Sequence, residues 1–264
     1  MVIPIGNGPF PQSAEALQQQ MAEGAKEAGV ALRTAIEAPS WPSVQSLVVD
    51  LSGSDLDSLS QLPRRSTGDA TSIEVQRFEV RANPVRIRDL PLELSANANG
   101  SSWRLAPTAN GSRALFLHSA TDGRFELTVR QSELERLANA LLTEQAGKHG
   151  INVTQTQLTI ISKGPRAIGL QVDVTAKVMM MKPTLTVTGE AKLDDQLRLH
   201  LSDLSLSGGG MAASLAKGFL QPHFDRLQAH PIDLASLAFG EVRLRDVELE
   251  VKADSLRLHG RFGG

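Results

Sequence analysis

The chain has no cysteine and no tyrosine, and aromatic residues make up only 4% of its 264 residues. Without cysteine there is no disulfide framework, no thiol nucleophile and no thiolate-held zinc or iron–sulfur centre. With so few rings there is no stacking platform for single-stranded nucleic acid. Excess charge of one sign is lacking too: 27 Lys and Arg stand against 29 Asp and Glu, a net charge of −2. A nucleic-acid binder usually shows a strongly basic face, so no nucleic-acid partner is expected. No apolar run approaches the ~20 residues of a membrane-spanning helix. Met1 to Ile5 is apolar but breaks at Gly6 to Pro9 and carries no early Lys or Arg, unlike a secretory leader. The expected location is therefore cytoplasmic or peripheral at a membrane.

Catalytic words are also missing. There is no Gly-x-Ser-x-Gly nucleophile elbow and no P-loop, the strand-turn-helix devices that expose a serine or cradle phosphates. Gly6 and Gly8 lack the third glycine and the preceding strand of a dinucleotide fingerprint. His118, His149, His200, His223, His230 and His259 form none of the close pairings that hold zinc. Asp50, Asp55 and Asp57 lie near a Ser/Gly loop without the EF-hand pattern and read as solvated loop acids. No catalytic residue, metal site or cofactor is expected.

What is present is hydrophobic patterning, at 41% of residues, too much for a disordered chain. Residues 1–11, with three prolines and two glycines, read as a flexible or docking terminus. Leu17, Met21, Ala25, Ala28, Leu32 and Ile36 recur at helical steps from Ser13 until Pro39 and Pro42. Strands follow at Val44–Leu51, at Ile73–Val80 and at Val85–Leu94, with an Asn-Gly hairpin turn over Asn97–Gly100 and a second turn at Asn110-Gly111. Phe125–Val129 leads into a helix over 132–147, where Ser132 and Glu135 have capping-box spacing. The cleanest alternation comes next: Leu170 to Met180, Leu185 to Leu193 and Leu197 to Leu201 step apolar and polar with period two, the mark of long antiparallel strands with one wet face. A helix over 211–227 carries Leu215, Phe219, Leu220, Phe224 and Leu227 on one face, with Pro222 inside it. Strands over Val242–Val251 and Leu256–Phe262 close the chain. Val85–Leu94 and Val242–Val251 share six of ten aligned residues, either because two amphipathic strands draw on the same residue types or because two sheet units are related.

Two features stand out chemically. Met179, Met180 and Met181 end the longest alternating run, and flexible thioethers suit an adaptable apolar surface as well as a core. The Leu215, Phe219, Leu220, Phe224 stripe is either core or the roof of an apolar cavity. Arg86, Arg88, Arg243 and Arg245 alternate on strands; they are a solvated face or donors to an anionic head group.

The run from Thr128 to Leu137 (TVRQSELERL) and the ending from Ile232 to Val251 and Leu256 to Phe262 resemble the LmeA-like family of bacterial phospholipid-binding proteins, as does the strand pattern of Phe78–Leu94. The resemblance implies an α+β, TULIP-like tubular lipid-binding fold: a long, strongly curved antiparallel sheet wrapped around two or three amphipathic helices, with an apolar groove for acyl chains. It implies a phospholipid or fatty-acyl ligand, possible transfer between membranes, and no catalysis. The expected organisation is an N-terminal docking segment and helix at 1–42 and one elongated domain at 43–264, divisible at 124/125. Lipid contacts are then expected at Met179, Met180, Met181, Leu215, Phe219, Leu220 and Phe224, with head-group contacts at Arg86, Arg88, Arg243 and Arg245. An interaction module with a closed core, and an enzyme for a hydrophobic substrate, are the competing readings.

Overall fold

Strands dominate the computed structural model, which describes residues 1–56, 71–87, 89–108, 112–148, 152–177, 182–209, 221–222, 224–234 and 242–263. In chain order the elements are β1 (Val2–Ile5), α1 (Ala14–Glu27), β2 (Arg33–Glu37), β3 (Ser43–Asp50), β4 (Thr71–Ile87), β5 (Leu90–Pro107), β6 (Arg113–Arg130), α2 (Gln131–Gly147), β7 (Asn152–Gly164), β8 (Ala167–Lys177), β9 (Thr184–Leu193), β10 (Arg198–Gly208), β11 (Ile232–Asp233), β12 (Leu244–Lys252) and β13 (Ser255–Phe262). They form two sheets: an eight-stranded sheet ordered β12-β13-β6-β5-β4-β3-β2 with β1 also on β6, and a five-stranded sheet ordered β11-β10-β9-β8-β7. Strands β3 and β4 pair in parallel, whereas β2–β3, β4–β5, β5–β6, β1–β6 and the successive pairs from β7 to β11 are antiparallel. The chain divides into one unit of Met1–Thr128, Leu237–Val247 and His259–Gly264, and a second of Val129–Ser236 and Glu248–Leu258.

In the first unit the N-terminus is built in, not loose. Val2 to Ile5 pair with Phe116 to Arg113, and Ile3 and Ile5 are buried. Helix α1 lies on this strand so closely that a Cβ on Gly24 would overlap the Ile5 backbone. Ser13 caps it, its hydroxyl accepting from the Ala16 N–H at 3.2 Å. The helix stops well short of Ile36. Gly29, at φ +70°, lets the Val30 N–H reach the Ala25 carbonyl and its own N–H reach that of Lys26, a Schellman closure that suits glycine. Leu32 and Ile36 keep helical spacing in sequence but belong to the coil and strand β2 beyond that stop.

Two turn assignments also change. The chain reverses between β4 and β5 at Asp89, φ +62°, so Val85–Leu94 is a hairpin tip and not one strand. Asn97–Gly100 lies inside β5, where Asn99 pairs with both Arg77 and Asp122. The second expected turn, Asn110-Gly111, lies outside the described residues; between β5 and β6 the Thr108 N–H donates to the Ser112 carbonyl at 2.9 Å.

Across four adjacent strands the buried side of this sheet shifts in step. Val44, Val75, Ser101 and Ala120 make one inward row, and Leu47, Phe78, Ala98 and Gly123 make the next. On each strand two residues separate the rows, where a regular pleat allows one. Gly100, at φ +65°, is one of them. Trp103 and Phe78 meet edge to face at 4.7 Å under this crease. The buried Ser101 hydroxyl is satisfied, accepting from the Trp103 indole at 3.1 Å.

Candidate functional site

The second unit presents the first candidate surface. Register places Leu158, Val172, Val187 and Leu206 in one row across β7 to β10, with Ile160, Leu170 and Gly189 in the next. Leu204 lies over Gly189. Thr156, Val174 and Leu185 make a third row on the same face. Burial is uneven along these rows. Leu158 and Ile160 on β7 are 6% and 8% exposed. Leu170, Val172, Leu185, Val187, Leu201, Leu204 and Leu206 are only half-buried. Ile168, Val174 and Ala176 on β8 and Ala191 and Leu193 on β9 are buried on the same face, so the half-buried residues form a patch at Leu170, Val172, Leu185 and Val187 that continues along β10.

Helix α2 explains the burial at β7. The spacing of Ser132 and Glu135 suggests a capping box, but Arg130 occupies the N-cap without a side-chain bond. Glu135 instead accepts the Leu158 N–H at 2.9 Å. Gln131 donates to the Leu158 carbonyl at 2.7 Å, and Thr156 donates to Asn139 at 2.8 Å. Gln131, Glu135 and Asn139 recur at four-residue steps, so they form one polar stripe. Gln131 and Glu135 satisfy the backbone groups of Leu158 at the sheet edge, groups that would otherwise invite another strand, and Asn139 holds the Thr156 hydroxyl. The apolar residues of α2 remain half-buried at Leu134, Leu137 and Leu142, and Leu141 is 53% exposed.

The opposite face of this sheet is polar and knitted together. Thr186 and Gln171 donate to Asp173 at 2.6 and 2.8 Å and hold its carboxyl below the ordinary range. Lys163 meets Glu190 at 2.6 Å, which raises the lysine above its ordinary value. The lysine of the Lys163–Glu190 pair is exposed, and such a pair contributes little to stability.

A second candidate lies in the first unit. A cleft of about 530 Å³ is lined by His118, Ser119, Ala120 and Thr121 of β6, by Val242, Arg243 and Arg245 at the start of β12, and by Gly263 after β13. The Gly263 N–H donates to the Arg243 carbonyl at 3.2 Å. Arg104 on β5 contacts His118 Nε2 at 2.7 Å. A guanidinium only donates, so this nitrogen is the acceptor.

The sequence-based site residues fall unevenly. Met179, Met180, Met181, Leu215, Phe219, Leu220 and Arg88 lie outside the described residues. Phe224 is buried at 8% exposure, within helical residues 224–229, whereas Leu227 on the expected stripe is 46% exposed. Arg243 and Arg245 are brought together in the cleft. Arg86 is exposed beside the β4–β5 turn, paired with Pro91, eleven residues along β4 from Val75, which is level with Ala120. The sequence reading missed His118, Ser119 and Thr121, because only the fold sets them against 242–245. It also missed the Gln131, Glu135, Asn139 stripe, although the four-residue spacing is visible in the sequence. Among the described residues no group of His, Asp and Glu is placed to hold a metal ion, and no helix is long and apolar enough to cross a membrane.

A sheet-rich α+β chain with a half-open aliphatic face is the kind of scaffold on which apolar ligands are held by area and not by directed bonds. Comparison with protein families narrows this. The model of the LmeA-like phospholipid-binding family matches residues 61–261, and the chain belongs to that family. No curated protein and no solved structure matches it.

Proposed function

We propose that the protein binds a phospholipid through its acyl chains on the half-buried face of β8 to β10, and that it acts as a carrier and not as an enzyme. Family membership over 61–261 supports the ligand class. The observation that carries the site is the set of aliphatic residues, Leu170, Val172, Leu185, Val187, Leu204 and Leu206, left half-buried across β8, β9 and β10. Burying a methylene gains ~0.8 kcal/mol, so a sixteen-carbon chain gains on the order of 10 kcal/mol before the cost of immobilising it. That task needs area and few polar groups, which agrees with the missing catalytic words. On this reading the fold is of the tubular lipid-binding kind.

Native mass spectrometry of the purified protein, with lipid extraction of the same sample, tests the proposal. Discrete adducts of phospholipid mass are expected. Val172→Asp together with Val187→Asp places charge on the face and is expected to reduce lipid capture by tenfold or more, a loss of about 1.4 kcal/mol or greater. A clean apo mass after incubation with mixed vesicles would favour an interaction module instead.

A further inference from the structure

We propose that the cleft between His118–Thr121 and Val242–Arg245 is an anion site that receives a phosphate group, supplied by a phospholipid head group or by free phosphate. The proposal rests on the phospholipid reading for the source of the phosphate, but not for the chemistry of the cleft. Arg243 lies just before β12 and Arg245 within it; both are exposed and face the same cleft, whereas Leu244 between them is half-buried and does not line it. They line one cleft of about 530 Å³ with no carboxylate among its lining residues. Among the described residues neither guanidinium has an ion-pair or hydrogen-bond partner. Two unneutralised cations side by side repel each other, and an anion between them converts that cost into two charge-assisted contacts. Ser119 and Thr121 alternate on β6 and are both exposed at the same cleft, adding hydroxyl donors. The cleft thus offers forked guanidiniums and hydroxyls, and the planar fork matches phosphate oxygens. Arg86, placed elsewhere on β4, is not part of it.

The test uses the full chain and two exposed substitutions, Arg243→Gln and Arg245→Gln, singly and together, with circular dichroism confirming that the fold persists. Binding is measured to vesicles of phosphatidylcholine alone and to vesicles with added phosphatidylglycerol. The wild type is expected to prefer the anionic vesicles. Each substitution is expected to reduce that preference by about tenfold, with a smaller loss for phosphatidylcholine, whose phosphate is offset by its own choline, and added salt is expected to weaken it. Isothermal titration with soluble glycerol phosphate and with inorganic phosphate is run in parallel. Saturable binding of either that the double variant loses supports the site and assigns it to free phosphate as well. Vesicle preference without soluble binding supports the site and assigns it to the head group. Equal binding to both vesicles with no soluble binding, or a preference that survives in the double variant, overturns the proposal. Failure of the acyl-binding reading looks different: neither lipid is extracted, while the titration still reports on the cleft.

Discussion

The two sheets carry the same kind of residues and bury them differently. In the eight-stranded sheet Val44, Leu47, Ile73, Phe78, Trp103, Leu115 and Leu117 are at or below 1% exposure. In the five-stranded sheet β8 to β10 leave most of their aliphatic side chains half-buried. Both sheets break their alternation, the drier one at the crease that runs from Val44 to Ala120 and the other between Ser202 and Ser205 of β10. Period two in a sequence reports the pleat of a strand. It does not report whether anything lies on the apolar face. A face held open costs stability that a closed core would recover, at roughly 25 cal/mol per Å², and a ligand that covers it recovers the same term.

The largest test of this contrast is a pair of truncations. Trp103→Ala removes a fully buried ring and its contact with Phe78, and is expected to cost about 3–5 kcal/mol. Leu170→Ala, on the half-buried face, is expected to cost about 1–2 kcal/mol in lipid-free protein, below the usual range for a sealed core. Urea unfolding followed by circular dichroism measures both. Equal costs would mean that the face of the five-stranded sheet is as closed as the other, and would remove the basis for an acyl site there.

These sheets were partly legible before folding was known. The β8, β9 and β10 strands and the turn at Asp194 follow from alternation alone, and α2 follows from its apolar spacing. Strand β2 was not legible as a strand, because Leu32 and Ile36 continue the helical step of α1 and only the left-handed Gly29 separates them. Strand β1 is four residues long with a proline inside, and its partner lies over a hundred positions away in β6. Asn-Gly at 99–100 has turn chemistry, yet pairing on both sides holds it in a strand. The two echoed segments separate in the same way. Asp89 and Asp246 occupy equivalent positions and both have positive φ, but the first reverses the chain between β4 and β5 and the second lies within β12. In the candidate site Arg243 and Arg245 are readable as an alternating pair. Their meeting with His118 and Thr121 is a tertiary fact with no local signature.

A smaller effect is expected where α2 closes the five-stranded sheet. Glu135→Ala leaves the Leu158 N–H without its acceptor at the sheet edge, at a cost of about 1–2 kcal/mol. Hydrogen exchange at Leu158 is expected to rise in this variant while exchange at Val75, in the other sheet, stays slow. If both change together, the two sheets open as one cooperative unit and the contrast drawn between them does not extend to dynamics.

The smallest effect concerns acid. The β9–β10 turn is organised by Asp194, whose carboxylate accepts the Gln196 and Arg198 N–H groups at 2.8 and 2.9 Å and contacts His200 at 2.8 Å. The Arg198 N–H, then His200 and the Gln196 N–H, hold this carboxyl below its ordinary range. A depressed carboxyl contributes stability above its unfolded value of about 3.9, and loses it as pH falls through the lower folded value. Asp194→Asn lacks the contribution at every pH. The variant is therefore expected to be less stable than the parent near neutrality, with the gap closing below about pH 4. Both tryptophans, Trp41 and Trp103, lie in the first unit, so tryptophan emission follows that unit while far-ultraviolet dichroism follows both. The acid difference between parent and variant should appear in dichroism and be absent from tryptophan emission. Its appearance in both signals would show that a turn in the five-stranded sheet controls the stability of the other unit.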